Sequence, residues 1–167
     1  MGIKRIGPDK WLTQIPLRIK WLRDWYCKRK FRCYGYGVEI RPGAYIVGTD
    51  NIALGNNITI RPGSHIYASK GGGINIFDNV LLGSGVHIYD NNHIIHTTFI
   101  EDKYIYKPIV IYDNAWIGAN TVLLAGSVIG PGAVIGAGSV VTGKLVPGYE
   151  IWSGNPAKKI GERELDV

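Results

Sequence analysis

Four histidines are the residues of this 167-residue chain best suited to chemistry near neutral pH: His65, His87, His93 and His96. A free imidazole titrates at about pH 6.5, so its neutral form can take a proton from a weak nucleophile or ligate a metal. Three of the four stand directly before an aliphatic residue, as His65-Ile66, His87-Ile88 and His93-Ile94. Asp90 and Asn91 lie near enough in sequence to orient the His93 ring, and a backbone carbonyl would serve equally. Nothing marks a covalent nucleophile: there is no Gly-x-Ser-x-Gly, and Cys27 and Cys33 form no metal or redox motif.

The elements that must position these side chains follow from a period of six. Ile111, Ile117, Leu123, Ile129, Ile135 and Val141 recur at that interval. Four residues after each comes Ala115, Thr121, Ser127, Ala133, Ser139 or Leu145. Six fits neither a 3.6-residue helix nor two-residue alternation. It fits a triangular coil whose flat sides each use six residues, with the large apolar residue inside and the small one at the corner. Such coils stack into an all-β solenoid, a parallel β-helix with a shared core.

The pattern extends upstream through Ile40 and Ile46. After two extra residues it resumes at Leu54, Ile60 and Ile66, and after four more at Ile76, Leu82, Ile88 and Ile94. It then fails until Ile111, which predicts one protruding loop over 95–108 and about five coils in all. On this register His65 and His87 share a corner of successive turns. His93 takes the next corner, where the coil gives way to the loop, and His96 lies in the loop. A lone histidine in a solenoid ordinarily fills a surface or corner role; His93 stands out because it faces the mouth of an expected cleft.

The length fits one domain. Residues 1–37 read as a basic N-terminal cap, 38–160 as the β-helix and 161–167 as a tail. Ten of the 19 Lys and Arg fall in residues 1–32, against Asp9 and Asp24, so that segment carries +8 and the remainder −2. Residues 16–32 read as a short helix on which Leu17, Trp21, Leu22 and Trp25 cluster at helical spacing. It would cap the open first coil, and its tryptophans and basic residues would also suit peripheral contact with an anionic membrane. The prism carries no basic stripe, so no nucleic-acid partner is expected. The sequence has no apolar run of membrane-spanning length and no signal-peptide core, which points to a cytoplasmic setting, possible membrane contact being at the inner face.

Three further motifs accompany the hexads: Trp116-Ile117-Gly118, Gly136-Ala137-Gly138-Ser139-Val140-Val141-Thr142, and Gly154-Asn155-Pro156-Ala157-Lys158. With them the chain, over about residues 38–160, resembles the left-handed β-helix acyltransferases of hexapeptide repeats, in particular the maltose, galactoside and polysaccharide O-acetyltransferases. The resemblance implies a left-handed coil and a homotrimer with acetyl-coenzyme A in the groove between neighbouring prisms. It also implies a carbohydrate acceptor, as in surface or capsular polysaccharide synthesis, and no metal. It identifies His93, which ends Ile88-Tyr89-Asp90-Asn91-Asn92-His93, as the general base that deprotonates a sugar hydroxyl attacking the thioester.

By the same resemblance Ala119, Ala137, Thr142 and Lys158 match the coenzyme site, joined by Lys144 and Lys159 as cations for phosphate. The family has a basic residue directly after that threonine, where this chain has Gly143. The family's acceptor asparagine and acid are also missing from residues 62–73, which offer Ser64, His65, Tyr67, Ser69 and Lys70 instead; Tyr104 and Tyr106 would add a stacking wall. Competing readings are an amino-sugar N-acetyltransferase, a zinc carbonic anhydrase using His65, His87 and His93, and a non-enzymatic scaffold.

Overall fold

The computed structural model describes residues 19–164, which form a left-handed parallel β-helix of about six turns. Three parallel sheets make its faces. The first holds Cys33–Tyr34, Ile52–Leu54, Ile74–Ile76, Ile109–Ile111, Val128–Ile129 and Leu145–Val146. The second holds Glu39–Ile40, Thr59–Ile60, Leu81–Leu82, Trp116–Ile117, Val134–Ile135 and Glu150–Gly154, edged by the antiparallel strand Ala157–Glu162. The third holds Tyr45–Val47, His65–Tyr67, His87–Tyr89, Val122–Leu123 and Val140–Val141. The prism is longer than the hexad count predicts because its first strand puts an aromatic residue, Tyr34, at the hexad position six before Ile40, and its last strands lie outside the regular register.

The period-six residues face inward. Ile111, Ile117, Leu123, Ile129 and Ile135 have no exposure, and the matching corner residues Thr121, Ser127, Ala133 and Ser139 have none either. The buried hydroxyls are satisfied by corner carbonyls: Ser127 Oγ donates to Leu124 O at 2.6 Å, and Ser139 Oγ donates to Gly136 O at 2.6 Å. The register breaks once near the C-terminus. Leu145, read as a corner residue, is 62% exposed, and Val146 fills the core instead. The turn after Val141 is one residue short, closed by Gly143 at φ 65°.

All the insertions leave at the corner between the third face and the first. They are a tight turn at Thr49–Asn51, the segment 68–73, and the long excursion after Tyr89. That excursion is a correction to the predicted loop. It is an antiparallel hairpin of Asn91–Ile95 and Ile100–Tyr106, so it begins four residues earlier than 95. Ile94, expected to point into the prism, pairs with Glu101 on the hairpin. The hexad stops there because the strand pairs with its own return rather than with the coil below.

The N-terminal helix is Lys20–Lys30; the rest of its predicted span toward residue 16 lies outside the described residues. It places Cys27 and Phe31 in the core cluster with Val38 and Ile40, and so closes the first coil. Burial pushes the Cys27 thiol up to about 12. Cys27 packs into the end of the prism, and Cys33 sits exposed on its first strand. Trp21 and Trp25 face solvent, and the helix packs through Arg23 and Cys27.

Candidate active site

The hairpin carries His93 away from the third face and over the same corner of later coils. His93 pairs with Tyr104 across the hairpin, with ring centroids 4.5 Å apart. The Asn92 side-chain oxygen accepts from the His93 backbone N–H at 3.0 Å. Among the described residues the ring nitrogens of His93 have no hydrogen-bond partner, so both remain open to a ligand. A cavity of about 270 Å³ joins Asn92 and His93 to Lys107, Ala125, Thr142 and Gly143. His93 and Thr142, nearly fifty residues apart in sequence, therefore line one space.

Asp90 does not orient His93. Its carboxylate is fully buried and accepts from Ser69 N–H at 2.8 Å, Ser69 Oγ–H at 2.5 Å and Gly73 N–H at 2.6 Å. Its own carbonyl accepts from Lys107 N–H at 2.9 Å, closing the hairpin neck. The residue is a clasp that binds the 68–73 segment to the hairpin's base. Asn91 turns the other way, pairing with Tyr106. It lines a second cavity of about 320 Å³ with Tyr67, Ser69, Tyr89, Tyr104 and Tyr106.

Two other residues read as acceptor contacts lie elsewhere. Ser64 has no exposure, and its hydroxyl donates to Gly83 O at 3.1 Å; it is a corner residue of the core. His65 stands on the outer surface of the third face, stacked against His87 at 4.9 Å and near Tyr45 at 5.5 Å. The shared corner predicted for His65 and His87 is in fact a shared strand position, His65 pairing with His87 in register. His87 Nδ1 lies 2.9 Å from the Tyr89 hydroxyl. Burial and the neighbouring His65 push its pKa down. His93 is not part of this stack, and among the described residues no three His, Cys, Asp or Glu gather as a metal site.

The residues matched to the coenzyme fall on two corners. Thr142 stands at the corner of the hairpin, with Lys144 exposed beside it. Ala119 and Ala137 stack at the corner between the second and third faces, where Gly138 N–H donates to Ala119 O at 2.8 Å. Glycine is required just before Ala119, where a Cβ on Gly118 would sit 2.5 Å from Ala137 N. Ala119 lines a cavity of about 230 Å³ with Arg61, Ser84 and Trp116. Lys158 is exposed, with no ion-pair partner among the described residues. Lys159 differs, being held by Glu162 at 2.6 Å and Glu150 at 2.9 Å. Those two carboxylates raise its pKa, Glu162 first, and leave it less available for a phosphate.

Sequence reasoning missed Asn92, Lys107 and Ala125, which complete the His93 cavity. Lys107 is the first residue after the hairpin, and its position could be read only once the excursion was known to be a hairpin.

Residues 108–143 match the family described as bacterial transferase hexapeptide (six repeats). The chain is built of hexapeptide repeats that match this transferase repeat family over that stretch. It is 42% identical over 125 residues to a Dictyostelium discoideum protein with a provisional acetyltransferase name, a match covering 71% of this chain. The chain spans 64% of that relative's length. Among solved structures, this hexapeptide-repeat protein is similar to the hexapeptide-repeat-containing acetyltransferase of Vibrio cholerae O1 biovar eltor complexed with acetyl coenzyme A. The two share 27% identity at a TM-score of 0.78, over 87% of this chain and 78% of that one. A maltose O-acetyltransferase of Clostridium difficile 630 shares 29% identity at a TM-score of 0.75, over 93% and 82% respectively.

Proposed function

We propose that this protein transfers an acetyl group from acetyl-coenzyme A to a sugar hydroxyl, with His93 as general base. The observation that carries this reading is the cavity joining the unpartnered His93 ring to Thr142 and Gly143. A sugar hydroxyl is a weak nucleophile at neutral pH, and an imidazole within hydrogen-bond reach can take its proton as it attacks. The tyrosine-lined cavity on the other side of the hairpin offers stacking surfaces for the acceptor ring. A role in surface or capsular polysaccharide synthesis fits such an acceptor.

The distribution of the coenzyme residues favours a homotrimer. His93 and Thr142 stand on one corner, Ala119 and Ala137 on another, with the third face between them. One pantetheine arm can touch both sets if the hairpin corner of one prism faces the alanine corner of the next, and cyclic symmetry repeats that contact. Complementation tests this. His93→Ala and Ala137→Trp, the latter at an exposed position, should each be inactive as pure proteins. Co-refolded in equal amounts, they should regain about a quarter of the intact activity, the share expected from random assortment at such an interface. No recovery from demonstrably mixed oligomers would place both sets in one subunit's site and refute the shared one.

Lys158, exposed and without an ion-pair partner among the described residues, is offered to the coenzyme's phosphates. Lys158→Ala is expected to raise KM for acetyl-coenzyme A several-fold with kcat little changed, because a phosphate contact acts alike in ground and transition states. The effect should shrink as salt rises. Unaltered kinetics at low salt would remove Lys158 from the site.

A further inference from the structure

The N-terminal helix turns its tryptophans away from the protein. Trp21 is 72% exposed and Trp25 52%, whereas Arg23 and Cys27 are buried. At 3.6 residues per turn, Trp21, Trp25 and Lys28 form one stripe, and Arg23 and Cys27 lie roughly half a turn away from it. Lys28 is exposed within the stripe and Arg29 beside it, whereas Lys20, also exposed, starts the helix on the Arg23–Cys27 side. The Arg29 guanidinium lies 4.2 Å over the Trp25 ring and donates to Trp25 O at 3.0 Å. Asp24, the helix's only acid, is tied to Arg23 at 3.0 Å and does not offset the exposed cations.

This arrangement is ill suited to water and well suited to a membrane interface. Two exposed indoles at i and i+4 leave a large apolar area solvated. Tryptophan settles at the headgroup level of a bilayer, and lysine and arginine are drawn to anionic lipid. The charge agrees: residues 19–32, at the first coil, hold Lys20, Arg23, Lys28, Arg29, Lys30 and Arg32 against Asp24, so a net +5 gathers at that end of the prism. No helix among the described residues is long and apolar enough to cross a membrane, so the contact is peripheral.

We propose that the stripe Trp21–Trp25–Lys28 docks this protein on an anionic bilayer, and that the acceptor sugar is carried on a lipid in that bilayer. The second clause rests on the acetyl-transfer reading above. The helix closes the first coil, and the tyrosine-lined cavity begins at the second and third strands of the third face, through Tyr67 and Tyr89. At about 4.8 Å per rung, the cavity opens on the order of 10–15 Å from the helix. A saccharide attached to a lipid headgroup reaches that distance, and Thr49–Asn51 and 68–73 line the corner between.

The full chain is to be mixed with vesicles of phosphatidylcholine, with or without phosphatidylglycerol. It should sediment with the anionic vesicles at low salt, be released by salt, and ignore the neutral ones. Lys28→Gln with Arg29→Gln should weaken binding on the order of ten-fold. Trp21→Ser with Trp25→Ser should abolish it while the melting temperature stays unchanged, both side chains being exposed. Failure to bind anionic vesicles, or equal binding by the tryptophan variant, overturns the docking. So does protection of both indoles from an aqueous quencher in lipid-free protein, which would mean that residues 1–18 or a second copy cover them.

For the acceptor, glycosyl diacylglycerols in the same vesicles are compared with the same sugars as free methyl glycosides. Acetylation of the lipid-borne form should be faster and should fall with the tryptophan variant, leaving the free form's rate unmoved. Equal rates on both forms, or a lipid-borne rate indifferent to the variant, overturn the lipid-borne acceptor. A protein that binds vesicles and acetylates neither form refutes the acetyl-transfer reading and its lipid-borne acceptor, with the docking intact.

Discussion

His93→Ala is expected to lower turnover by roughly 10²–10⁴, the range a positioned general base supplies. Acetyl-coenzyme A affinity should barely move, because the imidazole acts on the acceptor's proton. The structure sharpens this expectation by separating His93 from the other imidazoles. His87 is stacked on His65 and lies against the Tyr89 hydroxyl on the outer face of a coil. His96 lies 3.2 Å from Glu101 on the hairpin. Only His93 among the four shares a cavity with Thr142. Steady-state kinetics, with coenzyme binding measured separately, decide the matter. A fully active His93→Ala protein beside an inactive His87→Ala one would move the chemistry to the third face.

Asp90→Ala should be the most destabilising single change near the site. It removes a buried carboxylate that accepts three hydrogen bonds and leaves two backbone N–H groups and a hydroxyl without their acceptor. Hydrogen bonds to a charged group contribute about 1.5–3 kcal/mol each, and orphaned donors add a desolvation cost. A loss of about 3 kcal/mol or more follows, or a melting temperature lower by on the order of 10 °C for a chain of this size. Thermal denaturation followed by circular dichroism checks it. Were Asp90 instead an orienting partner of His93, the variant would melt normally and lose only kcat. That pattern would contradict the clasp.

The coil was legible because its cause is local. Each inward Ile, Leu or Val and each small corner residue repeats its own rung's geometry, so Ile111 to Val141 could be placed without knowing their neighbours. The failures lie where contacts are not local. Asp90 belongs with Ser69 and Gly73, a coil earlier, yet sequence proximity assigned it to His93. Ser64 is the exception: it stands four residues after Ile60, at a corner of the hexad, so the local rule already buries the hydroxyl that was offered to the acceptor. The hairpin's extent depends on pairing between Asn91 and Tyr106, which a hexad count cannot register. The outward aim of Trp21 and Trp25 follows from Cys27 and Phe31 entering the core, and helical spacing alone does not say which stripe packs. His93 and Thr142 were each singled out, but only the folded chain shows that they share a cavity.

Whether the His93 cavity transfers acetyl groups to sugars is read from product mass spectrometry. Intact protein and His93→Ala are each incubated with isotopically labelled acetyl-coenzyme A and a panel of neutral and amino sugars. Labelled O-acetyl sugar is expected with intact protein, cleaved by mild base as an ester is, and a yield at least about a hundred-fold lower with His93→Ala. Label appearing only as base-stable amide on amino sugars, or in equal amounts with both proteins, would contradict it.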